Sequence, residues 1–516
     1  MAQNKKKILT QARDELTNEL DPAATEFDDQ TVAAESEKIS VADLKKRSVI
    51  GAFSYFGTTL VLNIIALIAN FLLMAFLDPA DFGIYGFVIQ INAILVFFSD
   101  VGLASSLIQK QRQPNEGDYH TVFWTQQALS WLIFLIALII VATGFVSDKT
   151  GAAGNWILLA MALSFPLATL KTVSSIKLTR EMQFHKLIIP QIFEQIFYNL
   201  VLIVLAWRGF GVMAYAYAIL ARSLIGVIVM MIIKPYRPKW LFDQQSFKGT
   251  IKFGLKFQAN DLLARIKDNL FYLVVGWQLP AAQFGYISWA KNWSMYPYNL
   301  TVQNIMNITF PTFSRLQDRL DLLRRAIEKS IFFITTAIFP ILTGMVTFIY
   351  PLTVVVSSYA KWQPAISSFV LFTLAIAWSA ISSPLTNTLN ATGRINQTLK
   401  LMIFWTILTW ALTFPLMSWL GFTGVAWSAF LISFTSFIPV ILVKKFTHFR
   451  LWENIWRQLV ASLVMAAVAL AGQTYWLQNL GWLIAGGIIS GGVYLITLFL
   501  CGRQKLLAEI KSLRSK

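Results

Sequence analysis

The chain has 516 residues, of which 56% are hydrophobic and 13% charged, whereas about a quarter are charged in ordinary soluble domains. That excludes a soluble globular protein, and the single cysteine, Cys501, excludes an internal disulfide and cysteine-based metal binding. The net charge of +17 fits basic loops lying against an anionic leaflet better than a nucleic-acid surface, so no nucleic-acid partner is expected.

Residues 1–47 hold 8 basic and 10 acidic residues and no apolar run. They are expected to form a polar cytoplasmic tail rather than a cleaved leader, because the first long apolar run begins only after Lys45-Lys46-Arg47. Fourteen apolar segments follow, near 49–77, 81–108, 121–146, 153–176, 187–206, 211–233, 253–278, 281–310, 328–350, 364–390, 396–418, 422–443, 455–476 and 481–501. Each is long enough to cross a bilayer core as a helix. Joints as short as Asp78-Pro79-Ala80 and Arg208-Gly209-Phe210 force antiparallel neighbours. With the N-terminus inside, 36 of the 43 basic residues fall in inner joints or tails, and only Lys149, Arg208 and Lys361 fall outside. This is the positive-inside pattern, so fourteen spans with both termini cytoplasmic are expected.

An internal repeat divides the spans. Pro79-Ala80-Asp81-Phe82-Gly83-Ile84-Tyr85 returns as Ala281-Ala282-Gln283-Phe284-Gly285-Tyr286-Ile287, offset by 202. Gly209-Phe210-Gly211-Val212 returns as Gly421-Phe422-Thr423-Gly424, offset by 212. The expected fold is all-α, with two parallel six-helix repeats around a central cavity and two extra C-terminal helices. Its parts are a tail (1–47), an N-lobe of spans 1–6 (48–240), a C-lobe of spans 7–12 (241–450), spans 13–14 (451–502) and a tail (503–516). Bundles of this kind place substrate between the repeats.

Ionisable side chains within spans are costly and must face protein or water. Four bases, Arg222, Arg265, Lys267 and Lys291, and four acids, Asp100, Glu194, Asp261 and Asp268, lie there. Asp261, Arg265 and Asp268 share one helix face by their spacing. The bases are candidate substrate ligands and the acids candidate ion-coupling groups. An equally open reading has Arg265 bridged by its two acids, with the other groups only stapling helices. Asn292, Tyr296, Asn299, Gln303 and Asn307 form a polar stripe on span 8, flanked by Trp289 and Trp293. Ser379, Ser383, Thr386 and Asn390 form another on span 10. Such groups suit sugar hydroxyls and ring faces; the amide stripe equally suits interhelical hydrogen bonds, the Ser and Thr hydroxyls suit those bonds better than sugar, and the tryptophans also suit an interfacial aromatic belt. Pro297 and Pro311 are expected to kink or end span 8. The three histidines, His120, His185 and His448, read as surface residues at cytoplasmic ends. No phosphate loop, nucleophile elbow or metal triad occurs, so no enzyme activity and no cofactor are expected.

Several segments resemble a known family. Leu77-Asp78-Pro79-Ala80-Asp81-Phe82-Gly83-Ile84-Tyr85 is similar to a signature of Wzx-type polysaccharide flippases, members of the multidrug/oligosaccharidyl-lipid/polysaccharide exporter superfamily. Asp100-Val101-Gly102-Leu103, Arg180 to Phe184, Phe310 to Gln317 and Lys361-Trp362-Gln363-Pro364-Ala365 resemble further family motifs in the same order, between about residues 48 and 450. The branch they look closest to is that of lipopolysaccharide and colanic-acid exporters. The resemblance implies a flippase in the bacterial inner membrane. Its substrate would be an undecaprenyl-pyrophosphate-linked oligosaccharide, and a polysaccharide polymerase and glycosyltransferases would be its partners. An ion-coupled drug or small-molecule exporter of the same superfamily is the alternative. A polymerase or ligase would need a large outer loop, which the sequence lacks.

Overall fold

The structure, a computed structural model, describes residues 61–97, 102–110, 112–244, 247–248 and 269–514. Every regular element among the described residues is a helix. The first half holds α1 (Val61–Phe76), α2 (Pro79–Phe97), α3 (Leu103–Gln109), α4 (Glu116–Ala142), α5 (Ser147–Leu170), α6 (Thr172–Arg180), α7 (Phe184–Trp207) and α8 (Met213–Ile233). The second half holds α9 (269–278), α10 (Ala281–Leu300), α11 (Val302–Arg315), α12 (Leu320–Val355), α13 (Ile366–Ala391), α14 (Ile395–Leu420), α15 (Thr423–Ser433) and α16 (Phe437–Lys444). After them come α17 (Leu451–Ala471), the short α18 (Gln473–Trp476) and α19 (Leu480–Arg514). Eleven described helices are long and apolar enough to cross a membrane. The chain is an all-helical, multi-pass membrane protein. The first and seventh expected spans lie partly outside the described residues, and the eighth, split into α10 and α11, is not among the eleven.

Helix pairings repeat between the halves. In the first, α4 packs on α5, α5 on α8 and α7 on α8; in the second, α12 packs on α13, α13 on α15 and α14 on α15. α17 and α19 pack on each other and on α12. The halves meet where α2 crosses α10. A Cβ on Gly83 would overlap the Ala281 carbonyl oxygen, and one on Gly285 would overlap the Pro79 carbonyl oxygen. These contacts are reciprocal at the repeat offset of 202, and only glycine lets the backbones approach so closely. Phe82, Phe284, Trp289 and Trp362 fill the seam around this crossing and are buried.

A 3-10 segment, Ser357–Ala365, straps the same end of the bundle, which the charge count assigns to the outside. Its Tyr359 Oη donates to the Phe71 carbonyl (2.8 Å), Trp362 Nε1 to that of Met74 (3.0 Å) and Lys361 Nζ to that of Ala75 (3.1 Å). The last carbonyls of a helix lack partners within it. The strap therefore caps α1 from the other half of the chain. Lys361 also meets Asp78 Oδ1 at 3.1 Å. Asp81 ties the neighbouring turn, its carboxylate accepting from Asp78 N at 3.0 Å and Val212 N at 3.1 Å.

At the opposite end α4 begins with a capping box. Asn115 Oδ1 accepts from Asp118 N at 2.7 Å, and Asp118 Oδ2 accepts from Asn115 N at 2.9 Å. Here one expectation fails: His120 is buried, not a surface residue. The chain after α8 folds back over it, placing Tyr236 Oη 2.6 Å from its Nδ1 and stacking Trp240 on Trp124. Burial pushes the Tyr236 phenol well above its usual range, so it stays protonated. His185 and His448 are exposed, as expected. Span 8 breaks at Thr301, one turn after Pro297, while Pro297 and Pro311 both lie inside helices.

Candidate substrate cavity

Two cavities with polar side chains in their walls flank α10. The first, about 560 Å³, is enclosed by α9, α10, α13, α14 and α15. The second, about 460 Å³, lies between α10 and α9 on one side and α1, α2, α7 and α8 on the other. Lys291 and Tyr272 line both. Lys291 is ten residues into α10, so its Cα lies about 15 Å from the outer end of the helix, near mid-membrane. Its Nζ sits 3.4 Å from the Tyr272 ring centroid. The aromatic face holds the ammonium there without neutralising it. Among the described residues Lys291 has no carboxylate partner.

The other predicted residues divide. Asn292 lines the second cavity, beside Tyr85 and Tyr215, whose rings stack at 3.8 Å. Tyr296 accepts from Asn70 Nδ2 at 2.8 Å and so joins α10 to α1. Asn299 and Gln303 are exposed, on either side of the Thr301 break, and line neither cavity. Ser379, Ser383 and Thr386 line the first cavity, but Asn390 does not. The tryptophans, open to reading as sugar-stacking or interfacial-belt residues, are neither exposed nor at the cavities of Lys291. Trp289 and Trp293 are buried among Trp362, Phe369 and Phe71 at the seam. They border a third, almost wholly apolar cavity of about 500 Å³, shared with Met345, Met465 and Leu483.

Arg222 lines neither cavity, and its guanidinium lies 5.8 Å from the ring centroid of Tyr198, which lines the second. Its Nε lies 3.6 Å from Glu194 Oε2, and Lys171 pairs with Glu194 Oε1. Glu194 is buried, and a Cβ on Gly226 would overlap its carboxylate. Two basic side chains thus share one acid. Arg265, Lys267, Asp261, Asp268 and Asp100 lie outside the described residues. Sequence reasoning missed Lys171, counted with a loop although its side chain reaches Glu194. It also missed Tyr272, which no pattern distinguishes from other aromatics.

Comparison with known proteins decides the family. The model of the polysaccharide biosynthesis protein family matches residues 72–367. The chain belongs to that family. Its expected kinship with polysaccharide exporters of the multidrug/oligosaccharidyl-lipid/polysaccharide superfamily holds. It is 21% identical over 465 residues to the succinoglycan biosynthesis transport protein ExoT of Rhizobium meliloti, covering 84% of this chain and 89% of that protein. It is 24% identical to the lipopolysaccharide biosynthesis protein WzxC of Escherichia coli, covering 71% of this chain and 74% of that protein. Among solved structures, the lipid II flippase MurJ in an inward closed conformation superposes with a TM-score of 0.69 at 14% identity, over 88% of this chain and all of that one. An inward-facing multidrug resistance transporter of the MATE family and MOP superfamily gives 0.57 at 13% identity, over 74% and 95%. These structures share the fold. The family is one of membrane transporters in polysaccharide biosynthesis.

Proposed function

We propose that the chain is a flippase that carries an undecaprenyl-pyrophosphate-linked oligosaccharide across the bacterial cytoplasmic membrane for surface polysaccharide assembly. The observation that carries this reading is Lys291, a mid-membrane cation common to two cavities with polar side chains in their walls. A pyrophosphate cannot cross hydrocarbon unaided, and Lys291 is its anchor, with Arg265, Arg222 and Lys267 as further candidates. Asn292 and Tyr296 stand on the same helix beside it. Asn299 and Gln303 belong to the path on either side of the Thr301 break. The apolar third cavity suits the polyprenyl tail, which stays at the lipid level while the head group moves.

The halves are an N-lobe (48–240) and a C-lobe (241–450) that rock about the α2–α10 crossing, with spans 13–14 as an appendix. Both termini are cytoplasmic. The strapped outer end supports alternating access, in a state closed to the outside. Of the candidate coupling acids, Glu194 is held by two cations and acts first as their counter-ion; Asp100, Asp261 and Asp268 stay candidates. Glycosyltransferases build the substrate on the inner side, and a polymerase consumes it outside. A cationic-drug exporter would need an acid where Lys291 stands.

Deleting the gene should abolish the surface polysaccharide and leave the lipid-linked oligosaccharide accumulating on the inner leaflet. Unchanged surface polysaccharide together with sensitivity to cationic drugs would favour the exporter reading.

A further inference from the structure

The first cavity has a one-sided hydrogen-bonding character. Nine of its lining hydroxyls donate to a carbonyl three or four residues back on their own helix. Ser379 donates to Ala375 (3.0 Å), Ser383 to Ser379 (2.6 Å), Thr409 to Trp405 (2.7 Å) and Ser433 to Phe430 (2.6 Å). A carbonyl has no proton to give, so each hydroxyl must be the donor. Each hydroxyl has one proton and two lone pairs. With the proton spent on the backbone, the oxygen is left as an acceptor; Ser383 and Ser428 already accept from Tyr298 Oη and Thr413 Oγ1, both at 2.8 Å, and the other seven remain for a ligand. Trp405 Nε1 is spent too, on Thr435 Oγ1 at 2.8 Å. The wall made by α13, α14 and α15 is therefore rich in acceptors and poor in donors. A phosphate, itself an acceptor, finds few donors on that wall, chiefly the Trp410 indole N–H and the Ser436 hydroxyl. A neutral sugar hydroxyl, which can donate, finds many partners. The indoles of Trp405 and Trp410 add apolar faces with polar edges. The volume is that of a small-molecule site, too large for a bare cation.

We propose that this cavity is the glycan subsite: the pyrophosphate stays at Lys291, and hydroxyl groups of uncharged sugars donate into the Ser379, Thr409 and Ser433 wall. This rests on the flippase reading and adds to it where the glycan goes and which residues read it.

The test measures binding by purified protein in nanodiscs to two probes: undecaprenyl pyrophosphate, and the same lipid bearing a neutral hexose oligosaccharide. The wild type should prefer the glycosylated probe. The variant Ser379→Ala/Thr409→Val/Ser433→Ala should lose about tenfold of that preference, as expected for three modest hydrogen bonds, while binding the bare lipid unchanged. The variant Ser379→Thr/Thr409→Ser, which keeps the hydroxyls, should retain the preference, and circular dichroism should confirm that each variant is folded. Lys291→Ala should weaken both probes alike. Equal loss of both probes in the triple variant, an unaltered preference, or a preference that appears only with added sodium would overturn the subsite alone. A wild type that binds neither probe would overturn the flippase reading and the subsite with it.

Discussion

Lys291, Glu194 and Trp362 face different energetic problems. Lys291 lies near mid-membrane against the Tyr272 ring and lines two cavities, with no carboxylate partner among the described residues, so its ammonium is available to a ligand. Glu194 is already committed. Glu194→Gln would leave Lys171 and Arg222 without their shared acid; because Arg222 is 48% exposed, the cost falls below the full penalty of breaking a buried pair. The expected result is a lower thermal unfolding temperature in detergent, partly recovered when Lys171→Met is added. In the strap, the Lys361–Asp78 pair is exposed on the Asp78 side, and Lys361→Met should cost under about 1 kcal/mol. Trp362 is fully buried at the seam, and Trp362→Ala should cost about 3–5 kcal/mol. Thermal melts of the two variants separate these effects; equal losses would mean that the ion pair, not the indole, holds the outer end. Much at this scale was legible. A lysine in the middle of an apolar run has few bland explanations. Lys171 and His120 were not legible, because their settings are made by α7 and by the chain after α8, far away in sequence.

Among the elements, the repeated Phe-Gly turn turns out to be a physical device. Gly83 and Gly285 let α2 and α10 touch backbone to backbone. Gly83→Val or Gly285→Val should therefore push the halves apart and reduce folded membrane protein, a loss read by size-exclusion of solubilised membranes. A second correspondence was invisible in the sequence. The turn after α6 bonds Gln183 N to the Leu178 carbonyl, and the turn after α13 bonds Arg394 N to that of Leu389. The residue before each donor is left-handed, Met182 at φ 54° and Gly393 at φ 73°. Methionine disfavours that region by about 1–2 kcal/mol. Met182→Gly should raise stability by up to about 1 kcal/mol after glycine's entropy is counted, and Gly393→Met should lower it. Side-chain identity differs at these two positions while backbone geometry agrees, and for that reason the pattern escaped a reading of residue types. Of the span 8 stripe only Asn292 lines a cavity, and Tyr296 and Asn299 already leave the cavity wall before the Thr301 break.

For the whole molecule, the apolar runs located the helices well, because hydrophobic length is set by the bilayer and not by tertiary contacts. Cavity walls were less legible. A serine on a helix can cap, staple or line a cavity, and only the neighbouring helices decide which. The orientation rests on loop charge and can be checked directly. Single cysteines placed at Arg208, Lys361 and Gly421 should react with an impermeant maleimide from outside intact cells, in a Cys501→Ser background. Cysteines at Arg112, Lys186, Arg319 and Lys445 should react only after permeabilisation; two consecutive joints labelling from one side would break the topology. The central claim is that substrate crosses the membrane held at Lys291, and the most direct measurement is transbilayer movement in proteoliposomes. Vesicles carrying the purified protein would be loaded with fluorescent undecaprenyl-pyrophosphate oligosaccharide, and the inner-leaflet fraction followed with an impermeant quencher. The account predicts movement by the wild type, a rate lowered about tenfold or more by Lys291→Ala at equal insertion, and partial recovery with Lys291→Arg. Wild-type rates from Lys291→Ala, or no movement by the wild type, would contradict it.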